Sequence, residues 1–128
     1  MISKEQAIEI VKQFIDDILP NERWYKAVQP YIVAILLYGS VARGTNKPTS
    51  DIDILVILPL ETEEKYTTGE YFYNYQEQKI NIVLRSVERL RMIAEEHKDE
   101  TQKEVFRGSV IIKSDKEVRA LLRQIDGI

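Results

Sequence analysis

Apolar residues recur along this chain in two rhythms, and the alternation between them lays out a fold. Ala7, Ile8, Val11, Phe14, Ile15, Ile18 and Leu19 fall at helical spacing behind a Ser3–Gln6 capping box and ahead of Pro20, which predicts an amphipathic packing helix. A short helical turn is expected over 22–28, before Pro30. Residues 31–38 form an unbroken apolar run that stops at Gly39-Ser40, the pattern of a central strand entering a tight turn. A second apolar strand is expected over 51–58, closed by Pro59, and then a polar loop or brief helix over 61–69. Residues 70–75 and 79–84 flank 76–78 and read as a β-hairpin with a three-residue loop.

Leu90, Ile93, Ala94 and His97 share one face of a following helix. A further helical segment over 99–106 ends at Gly108, a short strand spans 109–112, and a Ser114–Glu117 box opens a last helix carrying Val118, Leu121, Leu122 and Ile125. The order α-β-turn-β-β-β-α-β-α predicts an α/β (α+β) domain: a mixed β-sheet with helices packed mainly on one side. No internal repeat or linker interrupts it, so residues 1–128 are expected to form one domain with one sizeable core.

Composition narrows the chemistry. With no cysteine, the chain has no disulfide, thiolate metal site or cysteine nucleophile. No apolar run reaches membrane-spanning length and the first residues lack a signal-peptide layout, so a cytoplasmic protein is expected. A net charge of -3 argues against broad binding to duplex nucleic acid and favours a small partner.

The candidate chemistry lies where the first two strands meet. Asp51 and Asp53 sit two residues apart at the head of an apolar strand, so both project to one face while Ile52, Ile54 and Val56 project to the other. Two carboxylates in so hydrophobic a stretch are costly unless cations neutralise them, and a pair of Mg²⁺ ions shared with phosphate oxygens is the usual solution. Gly39 allows close approach of a ligand to backbone, and Ser40 is expected to cap a short helix through Val41, Ala42 and Arg43, turning backbone N–H groups toward an anion. For Arg43 two roles stand open: contact with substrate, or a structural pair with a carboxylate.

Gly39-Ser40, ten intervening residues, then Asp51-x-Asp53, within the text GSVARGTNKPTSDIDILVI, resembles the nucleotidyltransferase superfamily of DNA polymerase beta, and in particular its minimal members. The resemblance implies a nucleotidyltransferase-like fold, with Asp51 and Asp53 as catalytic residues holding two Mg²⁺ ions, and Gly39, Ser40 and Arg43 binding an NTP, with ATP expected. It also implies transfer of a nucleoside monophosphate to a hydroxyl. Minimal members often act as the antitoxin beside a HEPN-type toxin, so a HEPN-type partner, a tyrosine of which is the acceptor, or a homo-oligomer is expected.

The family usually carries a third acid on an adjoining strand, and here Asn81 stands in the matching pattern, with Glu77 as a substitute if the strand begins early. An amide can ligate a metal weakly but takes no proton. A second reading therefore stays open: a catalytically weakened nucleotide-binding module acting by complex formation. Tyr71, Tyr73 and Tyr75 alternate on one strand face, as packing residues or as a platform for a base. Arg91 and His97 match the spacing of a HEPN ribonuclease motif only loosely, and His97 reads as a helix residue at the core margin.

Overall fold

The computed structural model describes residues 1–66, 69–95, 100–113 and 117–127; the expectations for His97, Asp99 and Ser114 lie outside them. The N-terminal box forms, with Gln6 N donating to Ser3 Oγ at 3.1 Å and Ser3 N to Gln6 Oε1 at 2.8 Å, and it starts α1 (Lys4–Asp17). Pro20 and Pro30 each fall within a single 3₁₀ turn, Leu19–Asn21 and Gln29–Tyr31, on either side of α2 (Arg23–Val28). The second of these turns takes the start of the run expected to be strand, so β1 is Ala34–Tyr38.

A one-turn helix, α3 (Gly39–Arg43), follows at once, and then β2 (Ile52–Leu58), α4 (Leu60–Glu63), β3 (Glu70–Tyr75) and β4 (Gln78–Ser86). The remaining elements are α5 (Val87–Glu95), α6 (Glu100–Phe106), β5 (Val110–Lys113) and α7 (Val118–Asp126). The strands form a mixed sheet in the order β3-β4-β2-β1-β5, antiparallel except for the β2/β4 pair. The α+β class is as expected.

Two features differ from expectation. The helical cover, expected mainly on one side, is split between both faces. Ile35, Leu37, Ile52, Ile54, Val56, Ile80 and Ile82 pack with α1 and α2 residues such as Val11, Phe14 and Val28. Ala34, Leu36, Leu55, Ile57 and Val83 pack with Leu90, Phe106, Val118 and Leu122 of α5, α6 and α7. The physical reason is in the central strands: β1 and β2 are apolar at both parities, so a helix layer on one face alone would leave the other wet. Each fully buried Leu or Ile there contributes roughly 1.5–3 kcal/mol.

The hairpin is also tighter than a three-residue loop. Tyr75 pairs with Gln78, leaving Gln76 and Glu77 as a two-residue turn with φ of 49° and 63°. Both central residues at positive φ match the right-handed twist of the strands, although neither is the Asn or Gly that would signal such a turn. In this register Tyr71, Tyr73 and Tyr75 face α1 and α2. Tyr71 stacks on Trp24 with centroids 4.4 Å apart, Trp24 Nε1 donates to the Tyr73 hydroxyl at 2.7 Å, and Phe14 meets Tyr73 and Tyr75 edge-on. The tyrosines are packing residues, turned away from the face that carries the aspartates.

Candidate active site

Three strand pairings bring one row of side chains together. Antiparallel pairing sets Tyr38 of β1 opposite Asp53 of β2, parallel pairing sets Asp53 opposite Asn81 of β4, and Asn81 faces Phe72 of β3. Because directly paired residues share a face, Tyr38, Asp53, Asn81 and Phe72 all lie on the α5/α6/α7 side, Asp53 and Asn81 in the first halves of β2 and β4. Asn81 thus occupies the position beside Asp53 that its sequence pattern suggested. Glu77 does not: it sits in the hairpin turn, outside strand parity, because the turn takes two residues instead of three.

Gly39 leaves β1 at a φ of +81°, a conformation that costs a side-chain-bearing residue about 1–2 kcal/mol. There is a second reason for glycine. A Cβ built at this position would overlap Asp53 Oδ2 and lie 3.2 Å from Asp53 Cγ, so the carboxylate rests directly against the bare Cα. The turn and the dicarboxylate strand, 14 residues apart in the chain, are one structural unit.

Asp53 is half-buried, and its carboxyl is pushed up to about 6, first by burial and then by the charge of Asp51, with the Arg43 guanidinium pulling the other way. The site is therefore electrostatically unfinished: two like charges press on each other, and the Arg43 guanidinium offsets them only in part. Asp51 precedes β2 and is also partly exposed.

Ser40 falls one residue inside α3 and caps nothing; Tyr38 holds the N-cap position without a side-chain bond. The expected serine cap is thus corrected, because the helical turn is entered at Gly39, itself at positive φ, and Ser40 lies within it. The Ser40 carbonyl instead accepts from Thr45 N at 2.9 Å, tying down the loop that returns to β2. Arg43 takes neither a carboxylate partner nor a purely solvent position. Its Nη1 donates to the carbonyls of Glu104 and Val105 at 3.3 and 3.1 Å, gripping the C-terminal end of α6, while Gly108 packs against its Cγ. A cation at a helix C-terminus is favourably placed against the helix dipole.

Tyr38, Glu70 and Arg85 also belong to this region and stand outside the Gly-Ser and Asp-x-Asp pattern. Tyr38 stacks on Phe106 at 5.5 Å, and its hydroxyl is pushed up to about 12 by burial and by the charge of Asp53, with Glu70 adding to the effect and Arg85 opposing it. Glu70 of β3 accepts from Asn81 Nδ2 at 3.4 Å. Asn81 Oδ1 is buried with no hydrogen-bond partner. Tyr38 was legible from strand parity alone; Glu70 and Arg85 depend on the hairpin register and on tertiary proximity.

Among the described residues no group of three or more His, Cys, Asp or Glu gathers in a metal-binding arrangement. A cleft of about 520 Å³ between α1, the 47–50 loop and the hairpin is lined by Ile2, Gln6, Gln13, Lys47, Ser50 and Gln78, not by the aspartates. No described helix is long and apolar enough to cross a membrane.

A mixed sheet that ends in a glycine turn pressed against a paired-carboxylate strand defines the class, an α+β domain with an anionic dyad beside a backbone turn. The nucleotidyltransferase domain model matches residues 21–119, and the chain belongs to that family. No curated protein matches it.

Proposed function

We propose that this chain is a Mg²⁺-dependent nucleotidyltransferase that moves a nucleoside monophosphate, AMP from ATP, to a hydroxyl acceptor and releases pyrophosphate. Family membership supports nucleotidyl transfer in general. The observation that carries the finer reading is the contact between the Asp53 carboxylate and the bare Cα of Gly39, which joins an anionic dyad to a backbone turn in one cradle.

The donor set fits divalent metal. Asp51 and Asp53 are hard oxygen ligands, their mutual repulsion calls for a cation, and the buried Oδ1 of Asn81 is an acceptor without a donor beside them. Bound metal supplies positive charge at the phosphates and at the attacking oxygen. The chain's own residues orient: Asp51 and Asp53 hold the metals, Gly39 admits the phosphates close to backbone, and Ser40 and the α3 amides hydrogen-bond them. Arg43, anchored on α6, adds a fixed positive field. The acceptor in this reading is a hydroxyl on a cytoplasmic partner protein, with a tyrosine of a HEPN-type toxin as the candidate suggested by the minimal-member resemblance.

Mg²⁺ and ATP together are expected to raise the melting temperature, by about 2.7 kcal/mol of added stability at a hundredfold excess over Kd. The same shift from ATP in the presence of EDTA would remove the metal from the reading. Intact-mass measurement after incubation with Mg²⁺-ATP and the partner tests transfer itself.

Asn81 favours a second reading, in which the chain binds nucleotide and masks a partner without chemistry, since an amide takes no proton. Asn81→Asp separates the two. It adds a carboxylate opposite Asp53, so the metal-free protein should melt lower, the Mg²⁺-ATP shift should grow, and in an enzyme the transfer rate should rise about tenfold. Tighter metal binding with no transfer in either form would favour the module.

A further inference from the structure

Displacement at phosphorus runs in line, so a pyrophosphate leaving toward Gly39 and Ser40, just past the end of β1, has its attacking oxygen on the opposite side of β2. The sheet order β3-β4-β2-β1 puts β4 and β3 there, each about 4.8 Å further along. On β4 the residue level with Asp53 is Asn81, which takes no proton. On β3 the same face carries Glu70 and Phe72, both exposed, and the Asn81 amide leans toward Glu70 with Nδ2 at 3.4 Å from Oε1. Glu70 itself pairs with Val83, two residues along β4 from Asn81, so its carboxylate reaches the Asp53 row by leaning back to the Asn81 amide; its charge is also felt at the Tyr38 hydroxyl, as is that of Asp53.

Resting on the nucleotidyl-transfer reading above, we infer that Glu70 is the acceptor-side catalytic carboxylate of this site, displaced from the Asn81 position by one strand and two residues, with Asn81 as the residue that positions it. The acceptor oxygen forms its bond to the α-phosphorus as the bond from that phosphorus to the bridging oxygen breaks. The electron pair leaves with pyrophosphate, and the acceptor proton passes to Glu70 and then to water. Asn81 orients the carboxylate through Nδ2, and Phe72, 69% exposed, walls the approach.

The test uses pyrophosphate release from Mg²⁺-ATP with glycerol as the hydroxyl probe. Glu70→Gln should lower kcat at least about thirtyfold with KM for ATP within about twofold, Glu70→Asp should recover part of the loss, and Glu77→Gln should match the parent. Unchanged kcat in Glu70→Gln overturns the inference. A second measurement decides the matter without turnover: ¹³C-carboxyl NMR with Mn²⁺ and α,β-methylene-ATP. Broadening of Asp51, Asp53 and Glu70 beyond that of Glu77 supports the role. Broadening of the two aspartates with Glu70 no broader than Glu77 overturns it, and silent aspartates overturn the metal reading on which it stands.

Discussion

Asp53→Asn is expected to abolish transfer while making the metal-free protein more stable at neutral pH. Loss of a ligand from the centre of the site should cost about a thousandfold or more in rate, about 4 kcal/mol of barrier. The stability change follows from proton linkage. The Asp53 carboxyl stands at about 6 in the folded chain, above its ordinary value of 3.8, so between those pH values the native state holds a proton that the unfolded state has released. Stability therefore falls as pH rises through this window, and the penalty is complete above pH 6. Removing the charge should recover about 1 kcal/mol at pH 7.5 once solvent screening of a half-buried carboxylate is allowed for, a few degrees in melting temperature. At pH 4 the two proteins should melt together. A variant that melts lower at pH 7.5 would mean that the charge stabilises the fold, contrary to burial and Asp51 repulsion as the source of the shift. Protons also compete with metal at this carboxylate, so the Mg²⁺-ATP shift of the parent protein should shrink as pH falls through 6.

Gly39→Ala should remove nucleotide binding through one added methyl. Two costs combine: the backbone penalty at φ of +81°, and an overlap with Asp53 Oδ2 that is relieved only by turning the carboxylate out of place or shifting β1. We expect destabilisation of about 1–3 kcal/mol by denaturant unfolding, and no Mg²⁺-ATP shift. Gly44→Ala is the matched control. Gly44 sits at a similar φ of +74° but has nothing within 4 Å of an added Cβ, so it should pay the backbone cost alone and keep the nucleotide shift. Equal loss of binding in both variants would assign the effect to loop backbone instead of the Asp53 contact.

Much of the site was legible in the sequence because its defining relations are short-range. Strand parity alone sets Asp53 apart from Ile52 and Ile54, and the glycine turn announces itself at the end of an apolar run. The parallel pairing that seats Asn81 beside Asp53 belongs to the sheet, while the face of β4 that Asn81 takes was accessible too, from its alternation with Ile80 and Ile82. The serine cap and the role of Arg43 were not. Whether Ser40 stands before or inside the one-turn helix depends on a single-residue step in where the turn begins, and Arg43 finds its acceptors on carbonyls 61 and 62 residues further on, which no local pattern encodes.

The hairpin shows where the boundary falls. Its loop could take two or three residues, and that single step decides which side chains of β3 face the aspartates, because a one-residue slip turns every side chain to the other face. Local patterns along the chain set the order of elements, the apolar strands, and the Gly39-Ser40 and Asp51-x-Asp53 pieces, all properties of dihedral preference and periodicity within a few residues. Tertiary packing decided the rest. Trp24 and Phe14 offer the tyrosines an aromatic bed on one face, the two-residue turn secures that register, and Glu70 is thereby delivered to Asn81 on the other. That choice is made by burial of aromatic area between elements some 50 residues apart, an energy with no expression in any local window of the chain.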